Sequence, residues 1–423
     1  MNKRNRLTLY ILVGLVLGIV AGYIANISLA DPKAFADKMA LVTTLFLRLI
    51  KMIIAPLVFA TLVVGIAKIG DAREIGRIGG KALGWFVIAS LISLSLGLVL
   101  VDLFRPGDMM AASGFLPPVG KSSGVAAGDM SMLTFIAHLV PTSIVDGMAK
   151  NEILQIVVFS VFFGIGAAAV GPRAEPLIEA IDGVAHVMLK VTGYVMNFAP
   201  FAVFAAVAGI VSKAGLQVLT TYGIFMGEFY IGIALLWVIL TLIGGLFLGP
   251  RVLRLLAELR EPTLLAFSTA SSEAAFPKTL EGLERFGVRN RIAAFILPIG
   301  YSFNLDGSMM YCTFATVFIA QAYGIEMDLA TQVTMMLVLM VTSKGIAGVP
   351  RASLVVIAAT LGQFNIPEAG LLMLLAIDHF LDMGRSATNV IGNGIATAVV
   401  AKWEGELQAP VAPAADLAKA PLV

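Results

Sequence analysis

The chain has 423 residues, of which 59% are hydrophobic and only 13% charged. A soluble protein of this size carries about a quarter charged residues, so the composition excludes an ordinary globular fold and points to a polytopic membrane protein. The net charge of +2 argues for no nucleic-acid partner, and a single cysteine, Cys312, excludes an intramolecular disulfide framework or a cysteine-rich metal site.

The first element is LTLYILVGLVLGIVAGYIA, residues 7–25, preceded by Lys3, Arg4 and Arg6. A charged start before an apolar run is also how a signal peptide begins. This run is too long for one and no convincing small-residue cleavage site follows, so it reads as the first membrane helix. Further apolar blocks predict helices near 39–67, 82–104, 130–170 (broken), 181–212, 217–249, 291–324 and 369–401. Basic residues cluster at Lys68/Arg73/Arg77/Lys81, at Arg173, at Arg251/Arg254/Arg260 and at Arg285/Arg289/Arg291. The loops near 27–38, 105–129 and 325–331 are poorer in Lys and Arg or carry offsetting acidic residues. If basic loops are cytoplasmic, both ends of the chain lie inside.

That assignment sets TLLAFSTASSEAAFPKTLEGLER (263–285) between two basic segments, so it starts and ends on one side. Each arm spans about ten residues, roughly 15 Å of helix or half a bilayer, which predicts a re-entrant hairpin rather than a spanning helix. A second interrupted segment, TQVTMMLVLMVTSKGIAGVPRASLVVIAATLGQF (331–364), has flanks without basic residues, which places its ends outside. Each is followed by a membrane helix with a polar interruption, NLDGS (304–308) in the first case and DMGRSATN (382–389) in the second. Paired, interrupted segments in corresponding halves are the pattern of a secondary transporter with a midplane site.

The four motifs SSEAAFP, SFNLDGS, SKGIAGVP and DMGRSATNVIGN together resemble the glutamate transporter family of dicarboxylate/amino acid:cation symporters, most densely between about 260 and 404. The resemblance implies an all-α polytopic protein with eight transmembrane helices, two re-entrant hairpins and inverted repeats, working as an elevator in the bacterial cytoplasmic (inner) membrane. It implies a homotrimer in the lipid bilayer with both termini cytoplasmic. Scaffold helices 1–2 would occupy 1–81 and helices 4–5 would occupy 109–213. The moving part would comprise helix 3 (82–108) and residues 214–404, including hairpins at about 261–287 and 331–364, followed by a cytoplasmic tail, 405–423.

A lone guanidinium in a membrane helix calls for a carboxylate, which its planar fork can hold bidentately. By resemblance Arg385 takes the substrate's side-chain carboxylate; the plainer reading is a structural pair with Asp378 or Asp382. Asp382, three residues earlier and so near the same helix face, would take the ammonium of an amino acid, or only brace Arg385. Family members that carry C4-dicarboxylates tend to lack this Asp. Asn389, Ser308, Ser386, the hairpin-tip residues Ser271 and Ser272, and Gly348, Val349 and Arg351 of the second hairpin complete the implied substrate site. Ordinary capping of broken helices is the plainer reading for the serines and Asn389. Arg351 stands where many relatives have Gly, and could bind a second carboxylate, lock the hairpin through Glu273, or replace a cation.

Asn304 and Asp306 match the family's cation site and would suit a residual Na⁺. Sodium-coupled relatives carry Tyr and Thr where this chain has Phe86 and Ala89, leaving Ser90, and an Asp where it has Asn393. A neutral amide cannot offset a cation's charge as a carboxylate can. The coupling ion is therefore expected to be H⁺, with Glu273 the leading carrier because burial raises a carboxyl pKa, and Asp306 the alternative. No organic cofactor is expected. His379 and Cys312 read as packing residues.

An enzyme is disfavoured: the intramembrane Asp residues lack the Gly-x-Gly-Asp setting of an aspartyl protease, and no motif pairs a Ser with one of the three His. A pure channel would not need alternating hairpins. The substrate is expected to be an acidic amino acid, glutamate or aspartate; the alternative is a C4-dicarboxylate, which Arg351 would favour and Asp382 would not.

Overall fold

A computed structural model describes residues 3–69, 72–112, 116–118, 140–150, 152–214, 222–343, 352–375 and 377–408. Among these residues the fold is all-helical, and the only extended pairing is an isolated antiparallel bridge between Val288 and Leu407. Four stretches, Leu9–Ser28, Arg73–Phe104, Gln155–Val195 and Gly223–Leu248, are long and apolar enough to cross a membrane, and shorter apolar helices such as Met52–Ala67 accompany them. The chain is a multi-pass membrane protein.

One group of helices comprises α1 (Lys3–Ser28), α2 (Pro32–Ile69), α5 (Ile144–Lys150), α6 (Ile153–Val170), α7 (Glu175–Met196) and α8 (Ala199–Ala214). In it α1 and α2 pack on α8, and α2 also packs on α6 and α7. Glycines at four-residue spacing make the α1–α8 approach: a Cβ on Gly14, Gly18 or Gly22 would stand 2.5, 2.8 or 2.7 Å from the carbonyl oxygens of Pro200, Phe204 or Ala208. Small residues let membrane helices approach backbone to backbone, where dispersion replaces the hydrophobic effect that lipid cannot supply. Asn26 ties the far end of the pair by donating to the Ser212 carbonyl at 2.8 Å.

The second group holds α3 (Ala72–Phe104), α4 (Pro106–Ala112), α9 (Gly223–Leu248), α10 (Arg251–Thr269), α11 (Phe276–Phe286), α12 (Asn290–Phe303) and α13 (Asp306–Ala322). It continues with α14 (Leu329–Thr342), α15 (Ala352–Gln363), α16 (Leu371–Leu375) and α17 (Asp378–Trp403). At its centre α13, buried at every residue, packs against α3, α4, α15 and α17. The two groups meet where α12 lies against α2 and α6, and where α10 lies against α8.

Several boundaries differ from the sequence expectation. The predicted helix 181–212 is two helices with a turn at Asn197–Phe198; Pro200 falls in the first turn of α8, where its missing N–H costs nothing. The helix expected at 82–104 begins at Ala72, and the first arm of the hairpin expected at 261–287 begins at Arg251. In both cases charged residues read as loop form the exposed face of a helix end. The predicted helix 369–401 is also divided, and its polar stretch opens α17 rather than interrupting a helix.

Candidate functional site

Three backbone breaks bring the polar motifs together. The first follows α10, where Ala270 adopts the left-handed conformation (φ 48) and the chain reverses through Ser271 and Ser272 into α11. Ser271 Oγ accepts from the Ala274 N–H at 3.2 Å, so this tip serine caps the second arm. The arms, α10 and α11, are stitched by ion pairs of Glu258 with Arg285 (2.9 Å) and of Glu261 with Lys278 (3.8 Å).

The second break separates α12 from α13 at Asn304 and Leu305, whose ψ angles of 61 and 64 are not helical. Asp306 opens α13 and Asp378 opens α17, each in a first turn where free amides and the helix dipole favour negative charge. The third break, after α16, makes that placement possible for Asp378. Two of the intramembrane charges are thus carried by helix starts.

Around Arg385 the chain builds a closed triad. Its Nη2 lies 3.0 Å from Asp378 Oδ1 and 2.9 Å from Asp382 Oδ1. The Arg385 and Asp378 side chains are 1% and 2% exposed, whereas Asp382 keeps 31% of its side chain accessible. The guanidinium stacks over the Tyr311 ring with 4.1 Å between Cζ and the centroid, a cation–π contact strengthened by the burial of both side chains. Nε and Nη1 of Arg385 are buried and without a hydrogen-bond partner. These two nitrogens leave three N–H groups of the buried guanidinium unpaired.

Beside the triad, the Gly307 N–H donates to Asn389 Oδ1 at 3.0 Å, and Asn389 Nδ2 lies 3.4 Å from Ser308 Oγ. Gly307 has to be glycine: a Cβ there would stand 2.6 Å from the Arg385 carbonyl oxygen. Ser386 is buried next to Arg385.

A second buried polar cluster lies deeper. Asn304 Nδ2 donates to Asp306 Oδ2 (3.1 Å) and Asn393 Oδ1 (3.3 Å). Ser93 Oγ lies 3.3 Å from Asp306 Oδ1 and 2.9 Å from the Ala89 carbonyl. Asn304 Oδ1 and Asn393 Nδ2 are buried and unpartnered. Phe86 and Ala89 contribute no side-chain oxygen, and Ser90 is fully buried. Among the described residues no group of three or more His, Cys, Asp or Glu could hold a metal ion.

The structure therefore assembles Arg385, Asp382, Asn389 and Ser308 in one place, and Asn304, Asp306 and Asn393 in another. Glu273 stands at the start of the turn before α11, partly buried. Gly348, Val349 and Arg351 lie outside the described residues. Sequence reasoning gave Tyr311 and Ser93 no role. Each lies three residues past a residue it did name, Ser308 and Ser90, and helical spacing alone would have found both.

A model of the sodium:dicarboxylate symporter family matches residues 7–403. The chain is 40% identical over 401 residues to a proton/sodium-glutamate symport protein of Geobacillus stearothermophilus, covering 94% of each. It is 38% identical over 399 residues to the protein of that name in Bacillus subtilis (strain 168), covering 93% of this chain and 92% of that one. It is also 39% identical over 404 residues to a C4-dicarboxylate transport protein of Citrifermentans bemidjiense, covering 94% and 90% respectively.

Proposed function

The chain belongs to the sodium:dicarboxylate symporter family, and from that premise we propose that it is a secondary active symporter importing acidic amino acids, glutamate or aspartate, across the bacterial cytoplasmic membrane. The observation that carries the substrate class is the buried Arg385 guanidinium with Nε and Nη1 unused. A ligand carboxylate accepting at either nitrogen would supply the charge-assisted hydrogen bond that it lacks.

The choice of an amino acid rests on charge. With both carboxylates ionised, Asp378, Asp382 and Arg385 sum to one net negative charge. A dicarboxylate dianion would add two more, whereas an acidic amino acid brings an ammonium for the accessible Asp382. The C4-dicarboxylate reading keeps support from relatives such as the Citrifermentans protein. Arg351, which would add a positive charge to the site, also favours it.

In this reading α1, α2 and α5–α8 form a scaffold that holds a homotrimer, and the α3, α9–α17 group moves as an elevator. The helix pairs α10–α11 and α14–α15 are re-entrant hairpins, Ser271 and Ser272 offer the tip of the first to substrate, and both termini are cytoplasmic. Coupling is to protons. Asn304 Oδ1 and Asp306 provide hard oxygens for a cation, but Phe86 and Ala89 provide none and Asn393 presents an amide, so the donor set fits Na⁺ poorly.

Proteoliposome uptake of aspartate, glutamate and succinate, with sodium and proton gradients imposed separately, tests the proposal. Concentrative aspartate or glutamate uptake, lost in Arg385→Ala while the variant stays monodisperse, is expected. Accumulation of succinate alone would transfer the assignment to C4-dicarboxylates.

A further inference from the structure

Two aromatic residues of α9 make hydrogen bonds that the transport reading has not used. Tyr230 Oη donates to the Phe380 carbonyl at 2.5 Å. Trp237 Nε1 donates to Thr388 Oγ1 at 2.8 Å, and that hydroxyl in turn donates to the Gly384 carbonyl at 2.8 Å. Tyr230 and Trp237 are two turns apart on one face of α9; Phe380, Gly384 and Thr388 follow one another at one-turn steps along α17. The two chains of hydrogen bonds thus end on successive carbonyls of a single α17 face, one before the Asp382–Arg385 turn and one within it. Between them the Tyr230 ring sits so close that a Cβ on Gly384 would lie 2.9 Å from Cε1.

On another side α13 holds the same helix, through the Gly307 N–H on Asn389 and the Gly307–Arg385 backbone approach. Arg385, Asp382 and Asp378 belong to one helix and are locked to each other, so they turn together when α17 rolls. A roll of about 10° would swing a guanidinium some 7 Å off the axis by about 1 Å, enough to spoil a bidentate contact.

We infer that Tyr230 and Trp237, the latter through Thr388, are positioning residues for substrate binding: they fix the roll of α17 and thereby aim Arg385 and Asp382. The inference rests on the reading of that triad as the substrate site. Neither aromatic touches substrate. Their hydroxyl and indole N–H act at partly buried contacts, where a hydrogen bond is electrostatically stronger than in water.

The test measures KM and maximal rate in proteoliposomes for whichever of L-aspartate, L-glutamate and succinate the wild-type chain accumulates, with Tm measured in parallel. Tyr230→Phe, Trp237→Phe and Thr388→Val each remove one hydrogen-bonding group and keep most of the volume. Each is expected to raise KM by about three- to tenfold, with maximal rate within about twofold of wild type. Thr388→Ser, which keeps the hydroxyl, should retain a near-wild-type KM. Unchanged KM in Tyr230→Phe and Thr388→Val overturns the inference while leaving the substrate reading intact. So does a KM rise that tracks falling Tm with Ser no better than Val at 388, since the contacts would then only hold the fold together. A wild-type chain that accumulates none of the three acids removes the substrate reading and this inference with it.

Discussion

Asp378 and Arg385, seven residues apart on α17, are joined at 3.0 Å with both side chains almost wholly inaccessible. Asp382, the other carboxylate on the same guanidinium, remains 31% exposed. Burial separates the two: Asp378 is enclosed with the arginine, and Asp382 is the carboxylate that keeps an accessible face. Removing one partner of a buried pair leaves an uncompensated charge and costs about 3–5 kcal/mol. With Asp382 still present, Asp378→Ala should cost about 3 kcal/mol and lower Tm by several degrees, measured by thermal melting in detergent. A Tm within error of wild type would show that Asp378 does not carry the arginine.

Asp382→Asn should leave Tm near wild type and act on the ligand. It removes the acceptor for an ammonium, so aspartate and glutamate binding should weaken by about tenfold or more. Succinate, which has no ammonium, should be spared or gain affinity. Equal loss for succinate and aspartate by calorimetry would make Asp382 a brace for Arg385 and weaken the amino-acid assignment.

The α1–α8 seam tolerates no side chain at its three glycines. In Gly18→Leu the new Cβ would start 2.8 Å from the Phe204 carbonyl oxygen and 3.1 Å from Val207 Cβ. Backbone cannot yield as a flexible side chain can, so overpacking should cost at least about 2 kcal/mol. The measurement is the yield of monodisperse protein and its Tm. Gly80, with nothing within 4 Å of a built Cβ, is the control: Gly80→Ala should be neutral.

At the end of α17 a short strap binds several helices. Glu404 pairs with Arg77 and Lys81, each at 2.7 Å, and Glu406 pairs with Arg289 at 2.9 Å and with Arg291. The hydrogen bond from Arg77, then that from Lys81, holds the Glu404 carboxyl below its ordinary range. Since its folded pKa lies under the unfolded value, this stabilisation is complete above about pH 4.3 and is lost as pH falls through the folded pKa. Glu404→Gln should therefore lower Tm at pH 7, and the difference from wild type should shrink as pH falls below about 4. A constant difference across that range would mean that charge is not what holds the strap.

Much of this was legible in the sequence, and the parts that were not share a cause. Runs of apolar residues located the membrane helices, and NLDGS and DMGRSATN located the polar clusters, because charge in lipid needs a reason. Helix breaks were harder to place. Nothing local says that Asp378 opens a helix rather than interrupting one, and the neighbours of that helix, α13 and α3, are distant in sequence. The α9–α17 hydrogen bonds were invisible for a similar reason: Tyr230 and Phe380 are 150 residues apart, and a tyrosine in a membrane helix announces no partner. The extra lengths of α3 and α10 were missed because charged residues at helix ends look like loop when polarity alone is read.

The coupling ion can be tested at one buried pair. Asn304 donates to Asn393 at 3.3 Å and to Asp306 at 3.1 Å, and Asn304 Oδ1 is left buried without a partner. An amide at 393 brings no negative charge to offset a dehydrated cation, and Phe86 and Ala89 bring no oxygen, so sodium should bind weakly. Concentrative uptake is therefore expected in sodium-free medium under an inward proton gradient, and Glu273→Gln should reduce its pH dependence if that carboxyl carries the proton. Asn393→Asp restores a carboxylate beside Asp306 and should make uptake respond to sodium at neutral pH. Gly300, where a Cβ would stand 2.2 Å from Asn393 Oδ1, already leaves room for a side chain of that shape. Uptake that requires sodium in the wild-type chain and ignores an imposed pH gradient would overturn proton coupling, whatever the substrate. Full proton-driven accumulation in Glu273→Gln would instead move the carrier away from the hairpin tip, with Asp306→Asn the next variant to measure.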